Sequence, residues 1–245
     1  MTGALRPLAV VAAVAFNLAL NGLAGAGLLF GVQTGEVSDS VPTGVTPAGW
    51  AFAIWGVIFL GTAVFAAWAL WHRARAPRYD ALVLPFVLAN VLNGLWQVPW
   101  SLRLFGVAAV VIVGILASLA WLYVRLDRLE MTGAERWALG VPVSLWLAWL
   151  CVATALNVTI ALSASGVGGG AVWPPLVVLA VAGIGAALLS RTGDVAFAGV
   201  IVWAFAAIYA ATPALATPLA VGVVLVTGAV AFGLWRGASP LPVTR

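Results

Sequence analysis

Eight long runs without a charged side chain decide what this chain can fold into. A helix that crosses the hydrocarbon core of a bilayer needs about 17–25 mostly apolar residues, and the runs have lengths of this order. Only 7% of the residues are charged, whereas soluble domains carry about 25%. We therefore predict an all-α integral membrane protein with eight transmembrane helices. The runs cover residues 7–30, 50–71, 81–100, 104–124, 137–162, 171–189, 195–211 and 214–235.

The basic residues fall on alternate connections between these runs. All 11 are arginine, and ten of them lie on connections that share one face of the membrane. Arg103 is alone on the other face, with the acidic Glu36 and Asp39. By the positive-inside rule the arginine-rich face is cytoplasmic, which places both termini in the cytoplasm. The arginines of that face are Arg6, Arg73, Arg75, Arg78, Arg125, Arg128, Arg136, Arg191, Arg236 and Arg245.

Several classes of function lack the side chains that they need. Without lysine there is no Walker A motif, which excludes an ATP-driven pump. His72 and Cys151, each the single residue of its type, leave no spacing for a metal or haem-iron site, so we expect no metal. No run contains an aspartate or glutamate, so we expect no buried carboxylate for proton-coupled transport. The arginines form no basic stripe along the chain, so we expect no nucleic-acid partner. The sequence contains no catalytic motif, and we predict no catalytic residue.

The amide side chains are concentrated in the first part of the chain. All five asparagines lie inside predicted helices, and Asn90, Asn93 and Gln97 share one helix face. Amides are costly in lipid, so these faces should point into the bundle. For Asn17 and Asn21 we favour hydrogen bonds between helices over ligand contact. No asparagine or glutamine follows residue 163, so we divide the chain into a five-helix bundle, residues 1–163, and a three-helix extension, residues 164–245.

Thirteen tryptophans are unusual, and most of them lie at predicted helix ends, where an aromatic belt at the membrane surface is ordinary. A few lie deeper, where an indole N–H needs an acceptor. Those in the second, third and fifth helices lie in the outer half of the bundle and would suit a flat apolar ligand, with packing against neighbours as the alternative. The deeper tryptophans are Trp55, Trp96, Trp146, Trp149 and Trp203.

The first run and the connection after it carry three further expectations. Its length favours a transmembrane helix over the alternative of a signal peptide. Gly27, Gly31 and Gly35 form a G-x-x-x-G ladder at the end of this helix, which can bring two helices together in a homodimer. Residues 31–49 are rich in glycine, serine, threonine and proline, which predicts an exposed loop.

Three segments resemble motifs of the tryptophan-rich sensory protein family, also called the TspO, translocator-protein or peripheral-type benzodiazepine receptor family. Residues 47–59 read PAGWAFAIWGVIF, residues 92–100 read LNGLWQVPW, and residues 149–157 read WLCVATALN. The family patterns are P-x-G-W-V-F-x-P-V-W-x-x-L-Y, L-N-x-x-W-x-x-x-F and W-x-x-x-A/T-x-x-L-N. The first segment lacks the internal proline. The resemblance covers residues 7–163 and indicates a divergent member with a TspO-like five-helix bundle and a C-terminal extension.

This resemblance implies a ligand pocket in the five-helix bundle. Members of the family bind tetrapyrroles such as protoporphyrin, and some bind sterols and benzodiazepine-type drugs. Trp146, from its depth, and Trp100, which ends the second motif, join the residues carried over by position. The candidate ligand-binding residues are Trp50, Phe52, Trp55, Asn93, Trp96, Trp100, Trp146, Trp149, Ala153 and Asn157.

Together these observations predict a multi-pass receptor-like or sensor-like protein of the bacterial cytoplasmic (inner) membrane. We expect it to bind an amphipathic aromatic small molecule, a tetrapyrrole of porphyrin or haem type, in a tryptophan-lined pocket, with a regulatory or transport role. No cofactor is required, and the expected partners are the lipid bilayer, this ligand and a second copy of the chain. The main alternative is a passive or exchange transporter of small metabolites that uses all eight helices. An enzyme that acts on the bound ligand, or a purely structural membrane protein, are further alternatives.

Overall fold

The structure, a computed structural model, describes residues 5–71, 76–167 and 170–240. Within these ranges the regular structure is helical and there is no strand. Turns of 3-10 helix cover Gly49–Ala53 and Pro213–Leu215, and a π-helical turn covers Arg136–Gly140. The helices are α1 Leu5–Gly25, α2 Thr34–Asp39, α3 Ile54–Trp71, α4 Ala76–Ser101, α5 Phe105–Asp127, α6 Gly133–Glu135, α7 Val141–Ala164, α8 Trp173–Thr192, α9 Val195–Ala211 and α10 Ala216–Trp235.

Long apolar helices dominate the molecule, which confirms the all-α membrane architecture. Among the described residues, seven helices are long and apolar enough to cross a membrane. The remaining predicted span, α9, is apolar but has only 17 residues. It begins at once after Asp194, whose carboxylate accepts the N–H groups of Ala196 and Phe197 as a helix cap. It ends before Pro213, which has no N–H to continue the helical hydrogen bonds.

The helices alternate in direction, so their connections gather at two ends of the bundle. At one end, Tyr123 near the end of α5 donates a hydrogen bond of 2.9 Å to Asp194, just before α9. At the other end, the Ala48 N–H donates to the Ala207 carbonyl near the end of α9, at 3.0 Å. The short helix α9 therefore runs from one end of the bundle to the other.

The carboxyl ends of α5, α8 and α10 meet at the first of these ends, which we call the arginine end because it carries Arg191 and Arg236. Arg103 follows α4 and lies at the opposite end. This arrangement agrees with the alternation of charge predicted from the sequence. Part of that prediction falls outside the described residues: His72, Arg73, Arg75 and Arg245.

Helices α1 and α4 are joined by a buried group of amides, which we call the amide seam: Asn17, Asn21, Asn90, Asn93 and Gln97. Asn17 donates to the Asn90 side chain at 2.9 Å and accepts from the Asn93 and Asn21 side chains at 2.8 Å. Gln97 donates to Asn21 at 2.6 Å. The interhelical role predicted for Asn17 and Asn21 is confirmed, since each amide finds its partner inside the protein.

The first helix is shorter than predicted, and the glycine ladder is not a helix face. α1 ends at Gly25, and the chain then turns through left-handed backbone at Gly27, Phe30 and Gly31. Glycine takes positive φ at little cost, which explains why the helix stops here. Gly35 belongs to the separate helix α2. The expected G-x-x-x-G contact surface is therefore wrong, and a homodimer stays a prediction without this support.

Residues 31–49 are not a simple exposed loop. Gln33 and Glu36 form a capping box at the start of α2, in which the Gln33 N–H donates to the Glu36 carboxylate at 3.0 Å. Val37 and Val45 are buried against the bundle. The composition predicts an exposed, irregular segment, but the buried side chains of Val37 and Val45 pack this connection against the helices.

A buried carboxylate exists, contrary to the sequence prediction. Asp194 is fully buried and accepts hydrogen bonds from Ser144 on α7 at 2.6 Å and from Tyr123 on α5 at 2.9 Å. Burial raises the pKa of its carboxyl, while the bonds from Ser144, Tyr123 and the backbone act in the opposite direction. The prediction failed because Asp194 sits in a two-residue connection that the surrounding helices enclose.

We expect Gly233→Ala to weaken the packing of α10 on α8. A Cβ at position 233 would lie 2.6 Å from the Leu189 carbonyl oxygen, so backbone would have to shift. Overpacking of this kind costs about 1–3 kcal/mol in the free energy of unfolding. Gly228→Ala, also in α10 but with nothing within 4 Å of its added Cβ, is the matched control. Thermal unfolding in detergent measures both, and equal midpoints would contradict the close approach.

We expect Asn17→Ala to destabilise the bundle because it leaves the amides of Asn90 and Asn93 without their shared partner. An unsatisfied buried polar group costs about 1–3 kcal/mol. Ser118→Ala is the comparison, since the Ser118 hydroxyl bonds only to the Gly114 carbonyl of its own helix. Unfolding by denaturant measures the difference, and a loss no larger than that of Ser118→Ala would show that the seam contributes little.

Candidate functional site

A small internal pocket lies among α3, α4, α5 and α7, beneath the segment that contains α2. Its volume is about 30 Å³, which leaves room for about two water molecules. The walls are mainly aromatic and aliphatic. The lining residues are Thr34, Ser38, Pro47, Phe52, Trp55, Asn93, Trp96, Trp100, Ile112, Trp149, Val152, Ala153, Leu156 and Asn157.

Two groups of aromatic rings form these walls. On α4, Trp96 and Trp100 are one helical turn apart and stack with ring centroids 4.8 Å apart. The Trp149 ring on α7 forms T-shaped contacts with Trp55 and Phe52, with ring centroids 6.3 Å and 5.9 Å apart. Stacked and edge-to-face pairs are the favoured arrangements of aromatic rings, so the closed pocket is held by its own side chains.

Some polar atoms of the pocket residues have a hydrogen-bond partner among the described residues, and others have none. Trp96 donates its indole N–H to the Asn157 side chain at 3.1 Å, and Asn93 donates to the amide seam through Asn17. The Ser38 hydroxyl and the Trp149 indole nitrogen are buried and have no hydrogen-bond partner among the described residues. One of these donors belongs to the segment that contains α2 and the other to α7, and both residues line the pocket.

Residues 34–48, which we call the cover, close the outer end of the pocket. Trp100 donates its indole N–H to the Thr34 carbonyl at 3.0 Å, and the Thr34 hydroxyl donates to Gln97 at 3.1 Å. The cover is therefore tied both to the pocket wall and to the amide seam.

Helix α9 holds the other end of the cover. The Ala48 N–H donates to the Ala207 carbonyl at 3.0 Å. Just beyond the cover, Trp203 donates to the Ala51 carbonyl at 3.3 Å and meets Trp50 edge-on, with centroids 4.6 Å apart. One of the last three helices thus contacts the segment that closes the pocket.

A comparison of the sequence with models of protein families found a match. The model of the family described as TSPO-like protein matches residues 7–235. The chain belongs to the TSPO-like protein family. Searches of curated proteins and of solved structures found no match. The family match continues through α8, α9 and α10, and the division at residue 163 stays a prediction.

In this TSPO-like protein the pocket contains eight of the ten residues predicted from the sequence. Trp50 does not line it: the residue is 46% exposed, and its ring packs on Trp203 outside the pocket. Trp146 does not line it either, because it lies one turn from Trp149 toward the start of α7 and is buried in the core. The eight are Phe52, Trp55, Asn93, Trp96, Trp100, Trp149, Ala153 and Asn157.

Sequence reasoning missed six lining residues. Thr34, Ser38 and Pro47 come from the cover, for which the composition predicts an exposed loop. The helical residues among the six had a detectable signal: Val152 and Leu156 follow Trp149 and Ala153 by three residues, which places them on the same side of α7. The sixth residue is Ile112 of α5.

The described residues contain no group of three histidine, cysteine, aspartate or glutamate side chains that could hold a metal ion. Cys151 is half-buried and forms no disulfide. The arrangement offers stacking surfaces and hydrogen-bond donors, which are the elements of a binding site for a small organic molecule.

We expect a cysteine at position 38 to be protected from reagents in solution. Ser38 is 1% exposed, so Ser38→Cys in a Cys151→Ser background should react with a polar maleimide at least about tenfold more slowly than Ser40→Cys. Ser40 lies on the same segment but is exposed. Adding Trp203→Leu should speed the reaction at position 38 and leave position 40 unchanged. Equal rates at 38 and 40 without that substitution would show that the cover is open.

Proposed function

We propose that this TSPO-like membrane protein binds an amphipathic aromatic small molecule of the tetrapyrrole type and acts as a receptor or sensor for it. One observation carries the proposal: two buried donors, the Ser38 hydroxyl and the Trp149 indole N–H, have no partner within the described part of the chain and belong to a pocket whose other walls are mostly aromatic. A buried donor without an acceptor is costly, and a ligand that supplies the acceptor removes that cost.

The chemistry of the walls matches such a ligand. The faces of Trp96 and Trp100 offer stacking surfaces for a flat ring system. Carboxylate or carbonyl oxygens at the edge of the ring system would accept from Ser38 and Trp149. Ala153 has a small side chain on the α7 wall of the pocket, which leaves room for a flat molecule to approach Asn157.

Binding of a ligand of this size requires the pocket to open. Pockets that take drug-sized molecules have volumes of about 300–1,000 Å³, far above the about 30 Å³ of the closed form. The contacts that must part are the Trp96–Trp100 stack and the hydrogen bond from Trp100 to Thr34. A ligand that stabilises the open form shifts the position of the cover, and this displacement is the output of a sensor.

For the cellular setting we propose the cytoplasmic membrane of a bacterium, with the arginine end in the cytoplasm. Arg191 and Arg236 at that end support this orientation through the positive-inside rule. Both ends of the described chain, the start of α1 and the end of α10, then lie on the cytoplasmic side.

Titration with protoporphyrin, followed by tryptophan fluorescence, tests the proposed site. We expect saturable quenching by the wild-type protein and about tenfold weaker binding after Trp149→Phe or Trp96→Phe, because each removes an indole N–H and part of a stacking surface. Trp235→Phe is the control, since Trp235 is 81% exposed and lies away from the pocket. Saturable quenching that neither pocket substitution weakens would refute the site, and absence of saturation would refute the ligand class.

A further inference from the structure

A lateral cleft at the arginine end is much larger than the tryptophan pocket. It lies between the end of α5 on one side and the ends of α8 and α10 on the other, with a volume of about 800 Å³. Its lining residues are Tyr123, Val124, Asp127, Ala187, Leu188, Ser190, Arg191, Thr192, Gly233, Arg236, Gly237 and Ala238. None of them belongs to the tryptophan pocket.

The lining changes from apolar to polar along the helix axes. Val124 on α5 and Ala187 and Leu188 on α8 form the deeper part, one turn or more inside the ends of their helices. Asp127 and Arg191 lie at the helix ends themselves. Since α5, α8 and α10 are all long enough to cross a membrane, their ends lie at the depth of the lipid headgroups, with the apolar part of the cleft at the depth of the acyl chains.

The cleft contains two arginines, Arg191 and Arg236. Neither Arg191 nor Arg236 forms an ion pair with a carboxylate among the described residues, although the Arg236 guanidinium lies 5.7 Å from the Phe232 ring centroid. The hydroxyl groups beside them are already used. Tyr123 donates to Asp194, and Thr192 donates to the Leu188 carbonyl. The guanidinium groups are therefore the free donors, and they suit the oxygens of a phosphate.

The cleft also has a negative edge. Asp127 lines it, and the carboxyl ends of three helices, each with a partial negative charge, face this end of the bundle. A purely anionic headgroup would meet attraction from the arginines and repulsion from Asp127. A headgroup with both a phosphate and an ammonium group matches both signs of charge.

We propose that the lateral cleft binds a phospholipid with a phosphoethanolamine-type headgroup. The phosphate lies between Arg191 and Arg236, the ammonium group lies toward Asp127, and the acyl chains run along Val124 and Leu188. The lipid fills the gap between α5 and the α8–α10 pair, so it joins the last helices to the rest of the bundle without any contribution from the tryptophan pocket.

Native mass spectrometry of the full-length protein tests this site. The purified protein is mixed with equal amounts of phosphatidylethanolamine, phosphatidylcholine and phosphatidylglycerol that carry the same acyl chains. We expect wild-type protein to retain phosphatidylethanolamine about fivefold more than the other two. Phosphatidylcholine has the same phosphate, but its methylated ammonium cannot donate a hydrogen bond to Asp127. Equal retention of the three lipids would overturn the proposal.

Charge variants test the contacts of the phosphate and of the ammonium group separately. The double substitution Arg191→Gln and Arg236→Gln should lower the retention of phosphatidylethanolamine about fivefold, whereas Arg128→Gln, the same change at an exposed arginine of the same end outside the cleft, should not. Asp127→Asn should remove the preference for phosphatidylethanolamine over phosphatidylcholine. Retention that survives the double substitution would place the lipid elsewhere.

The source of the phosphate is tested by competition. Free O-phosphoethanolamine has the same headgroup without acyl chains, so at millimolar concentration it should leave the bound lipid in place. Displacement of the lipid by the free compound would overturn the assignment to a lipid and indicate a soluble phosphate ester. All of these variants change exposed side chains, and unaltered thermal unfolding verifies that each remains folded.

Discussion

The amide seam between α1 and α4 is the interaction on which the rest of the site depends. Two hydrogen bonds that join α1 to α4, from Asn93 to Asn17 and from Asn17 to Asn90, set the rotation of α4 about its axis. Residues 93, 96 and 100 follow one another at helical spacing, so this rotation directs Trp96 and Trp100 into the pocket. In a membrane interior there is no water to replace these bonds, and a rotated α4 would leave several amides unsatisfied.

A short series of hydrogen bonds connects the amide seam to α9, which lies much later in the sequence. Gln97 accepts from Thr34 at the start of the cover, and Ala48 at the end of the cover donates to Ala207 on α9. α9 in turn begins at Asp194, which accepts from α5 and α7. The cover is therefore held between the amide seam and α9, so the first and last parts of the chain meet at the pocket.

Much of this fold was accessible from the sequence because the bilayer leaves few choices. Long uncharged runs in a bilayer must form helices, and arginines concentrate at one end, so the helices and their alternation follow from the positions of the charged residues along the chain. Trp96 and Trp149 were found by their depth and by the family motifs. Ser38 was missed because its burial depends on how residues 34–48 fold back on the helices. Trp50 was misplaced because its partner, Trp203, is far away in the chain.

The shortness of α9 has a consequence for the membrane around it. At a rise of about 1.5 Å per residue, its 17 residues span about 26 Å, less than the ~30 Å of a typical hydrocarbon core. Such a hydrophobic mismatch is relieved by thinning of the adjacent bilayer or by protein groups that satisfy the ends of the helix. The Asp194 carboxylate, which accepts the N–H groups of Ala196 and Phe197, serves the second purpose. A change in bilayer thickness would therefore act on the same helix whose Ala207 carbonyl accepts the Ala48 N–H at the opposite end.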